Sequence, residues 1–141
     1  MDTEIRLNRD IQTRDTIIFG SYKESRYGMG GGYAPRFHAS RQRIIELMNK
    51  GFIDPKEAQN DSPTTQEFLD MTDGLDDTVV FEGYTISDTR GDYRVTIDTL
   101  EIDIPSDDAG LISFMVEQTR HADEFDLDPC GDHFHLRAWW D

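Results

Sequence analysis

Residues 78–105 read TVVFEGYTISDTRGDYRVTIDTLEIDIP, two β-rich segments joined by a polar turn. The first segment is dense in Val, Phe and Tyr, which fit the pleated surface of a strand. The turn, SDTRG, contains residue types that favour a reversal of the chain. In the second segment Tyr93, Val95 and Ile97 alternate with polar residues, which is the period of a half-buried strand. The stretch therefore predicts a β-hairpin.

The apolar alternation changes phase within the second segment. Its first apolar residues have odd numbers, whereas Leu100, Ile102 and Ile104 have even numbers. A shift of one residue would turn every later side chain to the opposite face of the sheet. We therefore predict a β-bulge or tight turn near Asp98 and Thr99, which restores one buried face.

Helix signals flank the hairpin on both sides. The four segments that carry them are residues 40–51, 54–58, 62–74 and 106–121. Their predicted N-caps are Ser40, Asp54, Ser62 and Ser106. Each N-cap side chain can accept a hydrogen bond from a free amide of the first helical turn, and Gly51 and Gly74 are typical helix stops. The segment at 54–58 predicts only a short helical turn.

The two ends of the chain predict further strands. Short apolar stretches at residues 4–8 and 16–19 predict two opening strands, and residues 123–132 predict an acidic loop. In the last strand, Phe134, Leu136, Ala138 and Trp140 face one way, and the residues between them face the other.

These segments together predict the fold class. Blocks of strands and blocks of helices without a regular βαβ repeat favour an α+β fold. We expect one domain over residues 1–141, with a mainly antiparallel sheet of about five or six strands that two or three helices cover in a single pair of layers.

The start of the chain and its cysteine content predict a cytoplasmic protein. Residues 1–4 show no signal-peptide pattern, and no apolar stretch approaches the roughly 20 residues that span a bilayer. Cys130 is the only cysteine, so an intrachain disulfide is impossible and a reducing compartment is expected.

Acidic residues dominate the chain from residue 51 onward. Residues 1–50 hold 9 Lys and Arg against 6 Asp and Glu, whereas residues 51–141 hold 5 against 23. Such a surface repels nucleic-acid phosphates and anionic lipids and attracts basic protein surfaces. We therefore expect a basic protein partner, for instance a nucleic-acid-processing enzyme, and no direct contact with nucleic acid or membrane.

The expected partner-binding residues are the acidic side chains of the second half and one tryptophan near the end of the chain. They are Asp70, Asp73, Asp76, Asp77, Glu82, Asp107, Asp108, Asp123, Glu124, Asp126, Asp128 and Trp139. Carboxylates can take the place of phosphates against Lys and Arg, and an exposed tryptophan can anchor an interface.

A cysteine and two histidines near the end of the chain form a possible zinc site. Cys130, His133 and His135 supply thiolate and imidazole groups, and both histidines fall on the same face of the last strand. Their spacing matches no standard zinc signature, so a solvated histidine pair beside a lone cysteine is the alternative. No other cofactor is expected. The stretch from Asp126 to Gly131 copies the start of a calcium loop but lacks its final glutamate.

A glycine-rich loop with arginines nearby forms a possible anion or nucleotide site. Gly30 and Gly31 would let backbone amides approach an anion, and Arg36 and Arg41 would neutralise it. No Gly-Lys-Ser/Thr sequence follows, so a surface loop with scattered charges is the alternative.

The residue patterns establish no enzyme. No nucleophile elbow or Cys–His family signature is present, and neighbouring acid pairs would diverge on a strand or helix. We expect an acidic interaction protein that occupies a basic nucleic-acid-binding surface. Small acidic inhibitors that phages and mobile elements make against CRISPR or restriction nucleases are similar in size and charge. The alternative is a small metal- or nucleotide-binding enzyme or ligand-sequestering protein that uses the glycine-rich loop and the Cys/His cluster.

Overall fold

The computed structural model describes residues 6–28 and 34–141. Its helices are α1 (Ile11–Phe19), a short 3-10 helix (Glu24–Tyr27), α2 (Arg41–Asn49), α3 (Thr65–Met71) and α4 (Ala109–Gln118). Its strands are β1 (Arg36–Ser40), β2 (Val79–Thr85), β3 (Val95–Pro105), β4 (Glu124–Cys130) and β5 (His133–Trp139).

The five strands form one antiparallel sheet in the order β1-β2-β3-β5-β4. The predicted α+β class is confirmed, and so is the hairpin of β2 and β3. The predicted bulge is also present, because Glu82 pairs with Thr99 and Gly83 pairs with Ile97, which leaves Asp98 as the extra residue. The even-numbered apolar residues after the bulge consequently share one face with Ile97.

The hydrophobic core lies between the helices and one face of the sheet. Buried side chains of the sheet, such as Phe81, Leu100 and Leu136, join those of all four α-helices in one cluster. Phe68 of α3 packs edge-on against Phe81 and Trp140, with distances between ring centroids of 5.7 and 5.4 Å. The other face of the sheet carries mainly polar side chains, and residues 57–59 cover part of it, since Tyr84 donates a hydrogen bond to Gln59 and Thr96 donates one to Glu57.

Helix caps agree with the sequence in one case and differ in three. Ser40 caps α2 as predicted and accepts a hydrogen bond from the Arg43 amide at 3.2 Å. The cap of α3 is Thr64, not Ser62, because Thr64 and Glu67 form a reciprocal capping box. The cap of α4 is Asp108, not Ser106. Residues 54–58 contain the predicted short turn, in which the Glu57 amide donates to the Asp54 carbonyl at 2.9 Å, but Asp54 caps no helix.

The opening segment is a helix where the sequence predicts a strand at residues 16–19. Asp10 accepts a hydrogen bond from the Thr13 amide at 3.2 Å, and Gly20, with a φ of 83°, ends helix α1. These two caps, with burial of Ile11 and Ile18, outweigh the strand preference of the β-branched residues between them. Of the predicted strand at residues 4–8, only residues 6–8 are described, and they belong to no strand or helix.

Two strands were not predicted. Residues 124–130, expected as part of a loop, form the edge strand β4, whose side chains are nearly all exposed. An edge strand needs no continuous apolar face, so its sequence gives a weak signal. Residues 126–131 consequently form a strand and a turn, and Gly131, with a φ of 66°, takes the hairpin position that favours glycine. The short strand β1 was also missed.

No helix among residues 6–28 and 34–141 has the length and apolar character that crossing a membrane requires.

Candidate functional site on the open face of the sheet

The face of the sheet opposite the core, called the open face below, carries alternate residues of all five strands. They are Arg36, His38 and Ser40 from β1, Val80, Glu82 and Tyr84 from β2, Thr96, Thr99, Glu101 and Asp103 from β3, His133, His135, Arg137 and Trp139 from β5, and Glu124, Asp126, Asp128 and Cys130 from β4. Three of the four histidines of the chain therefore lie on one face.

Four carboxylates of β2 and β3, called the inner carboxylates below, each contact a cationic or titratable side chain. They are Glu82, Asp98, Glu101 and Asp103. Asp98, at the bulge, is 4% exposed and forms two hydrogen bonds with the Arg36 guanidinium, at 3.0 and 2.9 Å. These bonds raise the pKa of Arg36. The pair fixes β1 to the bulge of β3.

Glu82 lies at the centre of the open face. Its Oε1 is 2.7 Å from His38 Nε2. The Nε of Arg137 is 3.6 Å from Glu82 Oε2 and 3.6 Å from Glu101 Oε1, so one guanidinium forms salt bridges with two carboxylates. Glu82 Oε2 is buried and has no hydrogen-bond partner among the described residues. Such an oxygen costs roughly 1–3 kcal/mol of stability.

The two histidines of β5 contact carboxylates of β3. His135 Nδ1 is 2.7 Å from Asp103 Oδ1, and its Nε2 is 3.5 Å from Glu101 Oε1. The hydrogen bond with Asp103 raises the pKa of His135, because it favours the charged imidazolium. His133 lies 3.2 Å from Asp132, and this hydrogen bond lowers the pKa of Asp132.

Three carboxylates of β4, called the edge row below, are Glu124, Asp126 and Asp128. All three are exposed and share the open face. Alternate residues of a strand are about 6.8 Å apart, a spacing on the scale of successive phosphates in a nucleic-acid strand. Within the described part of the chain, no salt bridge or side-chain hydrogen bond neutralises any of them.

Further acidic residues extend the edge row at both ends. Asp123 directly precedes β4, and its Oδ2 accepts a hydrogen bond from the Asp141 amide at 2.8 Å. At the other end the Ser106 amide donates to the Asp132 carbonyl at 3.0 Å. This bond places Asp107 and Asp108 next to the β4–β5 turn. Seven acidic residues therefore lie on β4 or next to its ends, although the Asp108 carboxylate also caps α4 by accepting a hydrogen bond from the Leu111 amide at 3.1 Å.

The remaining predicted partner-binding residues, apart from Trp139, lie away from this edge. Asp73 and Asp76 pair with Arg41 at 3.7 and 2.9 Å. Asp70 accepts a hydrogen bond from Gln66 at 2.9 Å, and Asp77 is exposed. Glu82 is 9% exposed, so a partner cannot reach it as a surface charge. Trp139 is partly buried between Thr99 and Glu124, next to the edge row.

Of the predicted anion site, the structure describes only Arg36 and Arg41, since Gly30 and Gly31 lie outside the described residues. Both guanidinium groups bind carboxylates of the chain: Arg36 binds Asp98, and Arg41 binds Asp76. The Nη2 of Arg41 also donates to the Leu69 carbonyl at 2.9 Å. These bonds take up the charges that an anion would need, and the site stays a prediction.

The predicted zinc ligands Cys130, His133 and His135 share the open face, but they are not among the described groups of three whose ligand atoms lie within 4.8 Å of one another. Cys130 is exposed at the end of β4, opposite His133, and His135 contacts Asp103 on β3. The ligand atoms that do lie within 4.8 Å belong to His38, Glu82 and Glu101. Local sequence patterns give no sign of His38 and Glu101, because these residues come from different strands and only the register brings them to Glu82.

No protein-family model matches the chain, and no curated protein or solved structure matches it.

Proposed function

We propose that this chain is an acidic interaction protein whose edge row occupies a basic, nucleic-acid-binding surface of a partner protein. The observation that carries the proposal is that Glu124, Asp126 and Asp128 are exposed and aligned and that no described residue forms a salt bridge with any of them. Carboxylates in this state gain the most from Arg and Lys of a partner, since they give up no internal ion pair on binding.

The surroundings of the edge row support the same function. Acidic residues at both ends lengthen the row, so its field extends into solvent and steers a cationic partner toward it. Trp139 lies beside Glu124 and offers an apolar contact at the rim of this surface. The partner class that fits is a nuclease or similar enzyme with an Arg- and Lys-lined groove. Inhibition by competition with nucleic acid, as by phage and mobile-element inhibitors, is the proposed outcome.

The test is co-purification from native lysate at low salt, followed by competition. We expect a nucleic-acid-binding protein to be retained and then released by its own DNA or RNA. The triple variant Glu124→Gln, Asp126→Asn, Asp128→Asn should bind that protein more than about a hundredfold more weakly, because each charge-assisted hydrogen bond contributes roughly 1.5–3 kcal/mol.

A matched control removes the same number of charges elsewhere. Asp61, Asp70 and Asp77 are exposed and lie outside the acidic edge. Their combined change to Asn should leave the affinity within a few-fold of the original. Equal losses for both triple variants would mean that net charge, and not the edge row, attracts the partner. A captured protein that nucleic acid does not displace would contradict the competition.

A further inference from the structure

We propose that His38, Glu82 and Glu101 form a binding site for one divalent transition-metal ion of the zinc type. The three residues come from the neighbouring strands β1, β2 and β3, and their ligand atoms lie within 4.8 Å of one another. Zinc binds imidazole nitrogen and carboxylate oxygen at roughly 2.0–2.2 Å. Small side-chain rotations would bring all three groups to that distance from one ion.

The buried Oε2 of Glu82 supports the site independently, because its only contact with a described cation, Arg137 Nε at 3.6 Å, is longer than a hydrogen bond. Glu82 is 9% exposed, and its buried Oε2 has no hydrogen-bond partner in the described part of the chain. Buried polar atoms normally have a partner, and each exception calls for an explanation such as an ion. A metal ion between Glu82 and Glu101 would satisfy this oxygen.

Exposure and chemistry favour a site that an ion can enter. The His38 side chain is 67% exposed, so its imidazole can turn from Glu82 toward an ion without unpacking the core. One imidazole with two carboxylates suits zinc better than calcium, which prefers six or more oxygen ligands. Three protein ligands leave a coordination position open to water or to a small ligand.

Arg137 is the internal competitor of the ion. Its Nε lies 3.6 Å from both Glu82 and Glu101, so the guanidinium partly neutralises the two carboxylates. Metal binding would displace Arg137 toward Asp126, its neighbour on β4. Replacement of Arg137 by Gln should therefore raise the affinity for zinc. If the two carboxylates served only as salt-bridge partners of Arg137, the same replacement would lower stability and would not increase zinc binding.

The test is calorimetric titration of the metal-stripped full chain with zinc. We expect one ion per chain, and at least about tenfold weaker binding in His38→Ala and in Glu82→Gln. Three control variants should bind as the original chain does: Cys130→Ser, His121→Ala, and the double neutralisation Glu124→Gln, Asp128→Asn, which keeps Asp126 for Arg137. The last control also separates the metal site from the proposed partner-binding function.

Cobalt(II) gives a second readout on the unmodified chain, independent of whether a variant folds. A nitrogen and oxygen ligand set produces visible d–d bands without the charge-transfer band of a thiolate. That band, or loss of binding in Cys130→Ser alone, would overturn the proposal in favour of Cys130 as ligand. The proposal would also be overturned if the chain bound no zinc. Binding of several zinc ions per chain with an affinity that His38→Ala does not change would overturn it as well.

Discussion

The inner carboxylates and the edge row share one face of the sheet but differ in what neutralises them. Strand β5 lies between β3 and β4, so His135 and Arg137 have acidic neighbours on both sides. Both turn toward β3 and not toward β4: Arg137 contacts the partly buried Glu101, and His135 contacts Asp103 at 2.7 Å and Glu101 at 3.5 Å. Attraction between charges grows as the effective dielectric constant falls, so the inner pairing gains more energy.

The difference shows why net charge is a poor guide to a binding surface. Each inner carboxylate contributes as much to the formal charge of −15 as each carboxylate of the edge row does, but the inner ones already contact cationic or titratable side chains of the chain. Position in the sheet, interior or edge, decides which acidic groups remain available. Four experiments test whether the two sets of carboxylates differ in this way.

The largest expected effect is the stability cost of an inner carboxylate. Asp98→Ala should lower the free energy of unfolding by about 2 kcal/mol, because it removes two hydrogen bonds to Arg36 and a 4%-exposed carboxylate at the bulge. Asp126→Ala, on the edge row, should change it by less than about 0.5 kcal/mol. Urea unfolding measures both values, and equal losses would erase the distinction between the two sets.

The reactivity of Cys130 reports the electric field of the edge row. Cys130 is exposed at the end of β4, on the same face as Asp128. Anionic iodoacetate should alkylate it several-fold more slowly than neutral iodoacetamide at low salt, relative to a free thiol, since the row repels the anion. Asp126→Asn with Asp128→Asn, or high salt, should remove the difference. If neither the substitutions nor high salt changed the ratio of the two alkylation rates, the row would create no coherent field.

The pH dependence of stability tests the inner pairing of His135. Its pKa is raised in the folded chain by Asp103, so the charged imidazolium stabilises the fold. That stabilisation is full below the unfolded pKa of about 6.5 and is lost as the pH rises through the higher folded value. The melting temperature of the original chain should therefore fall relative to His135→Gln between about pH 6 and pH 8. A constant difference would mean that the pairing contributes nothing.

The smallest expected effect is chromatographic. The edge-row triple variant and the control triple variant at Asp61, Asp70 and Asp77 have the same net charge. On an anion exchanger the edge-row variant should elute at lower salt, because an aligned row binds a charged surface better than dispersed groups do. Elution of the control first would indicate that the other positions form the stronger patch.

Local signals predicted the parts of the fold in which neighbours along the chain decide the outcome. The hairpin, the bulge at Asp98 and the cap at Ser40 were all predicted correctly, because turn chemistry, alternation and capping act over a few residues. Helix α1 was predicted as strand because the β-branched residues 16–18 outweighed the caps at Asp10 and Gly20. Strand β4 was missed because an exposed edge strand carries little apolar pattern.

The candidate site was predictable only in part. Glu124, Asp126 and Asp128 were among the expected partner-binding residues, but the sequence ranked them with Glu82 and Asp76, which the fold engages internally. The zinc prediction chose ligands close together in sequence. Residues close in space, His38 and Glu101, were not considered, because their proximity depends on the register of separate strands.

The α+β class, the central hairpin and the excess of negative charge could all be predicted, since each follows from composition or from short-range periodicity. Which carboxylates pair with His135 and Arg137, and which remain exposed on β4, could not. Pairing depends on burial and on distances of a few ångströms between strands that are remote along the chain. Only the assembled sheet fixes those quantities.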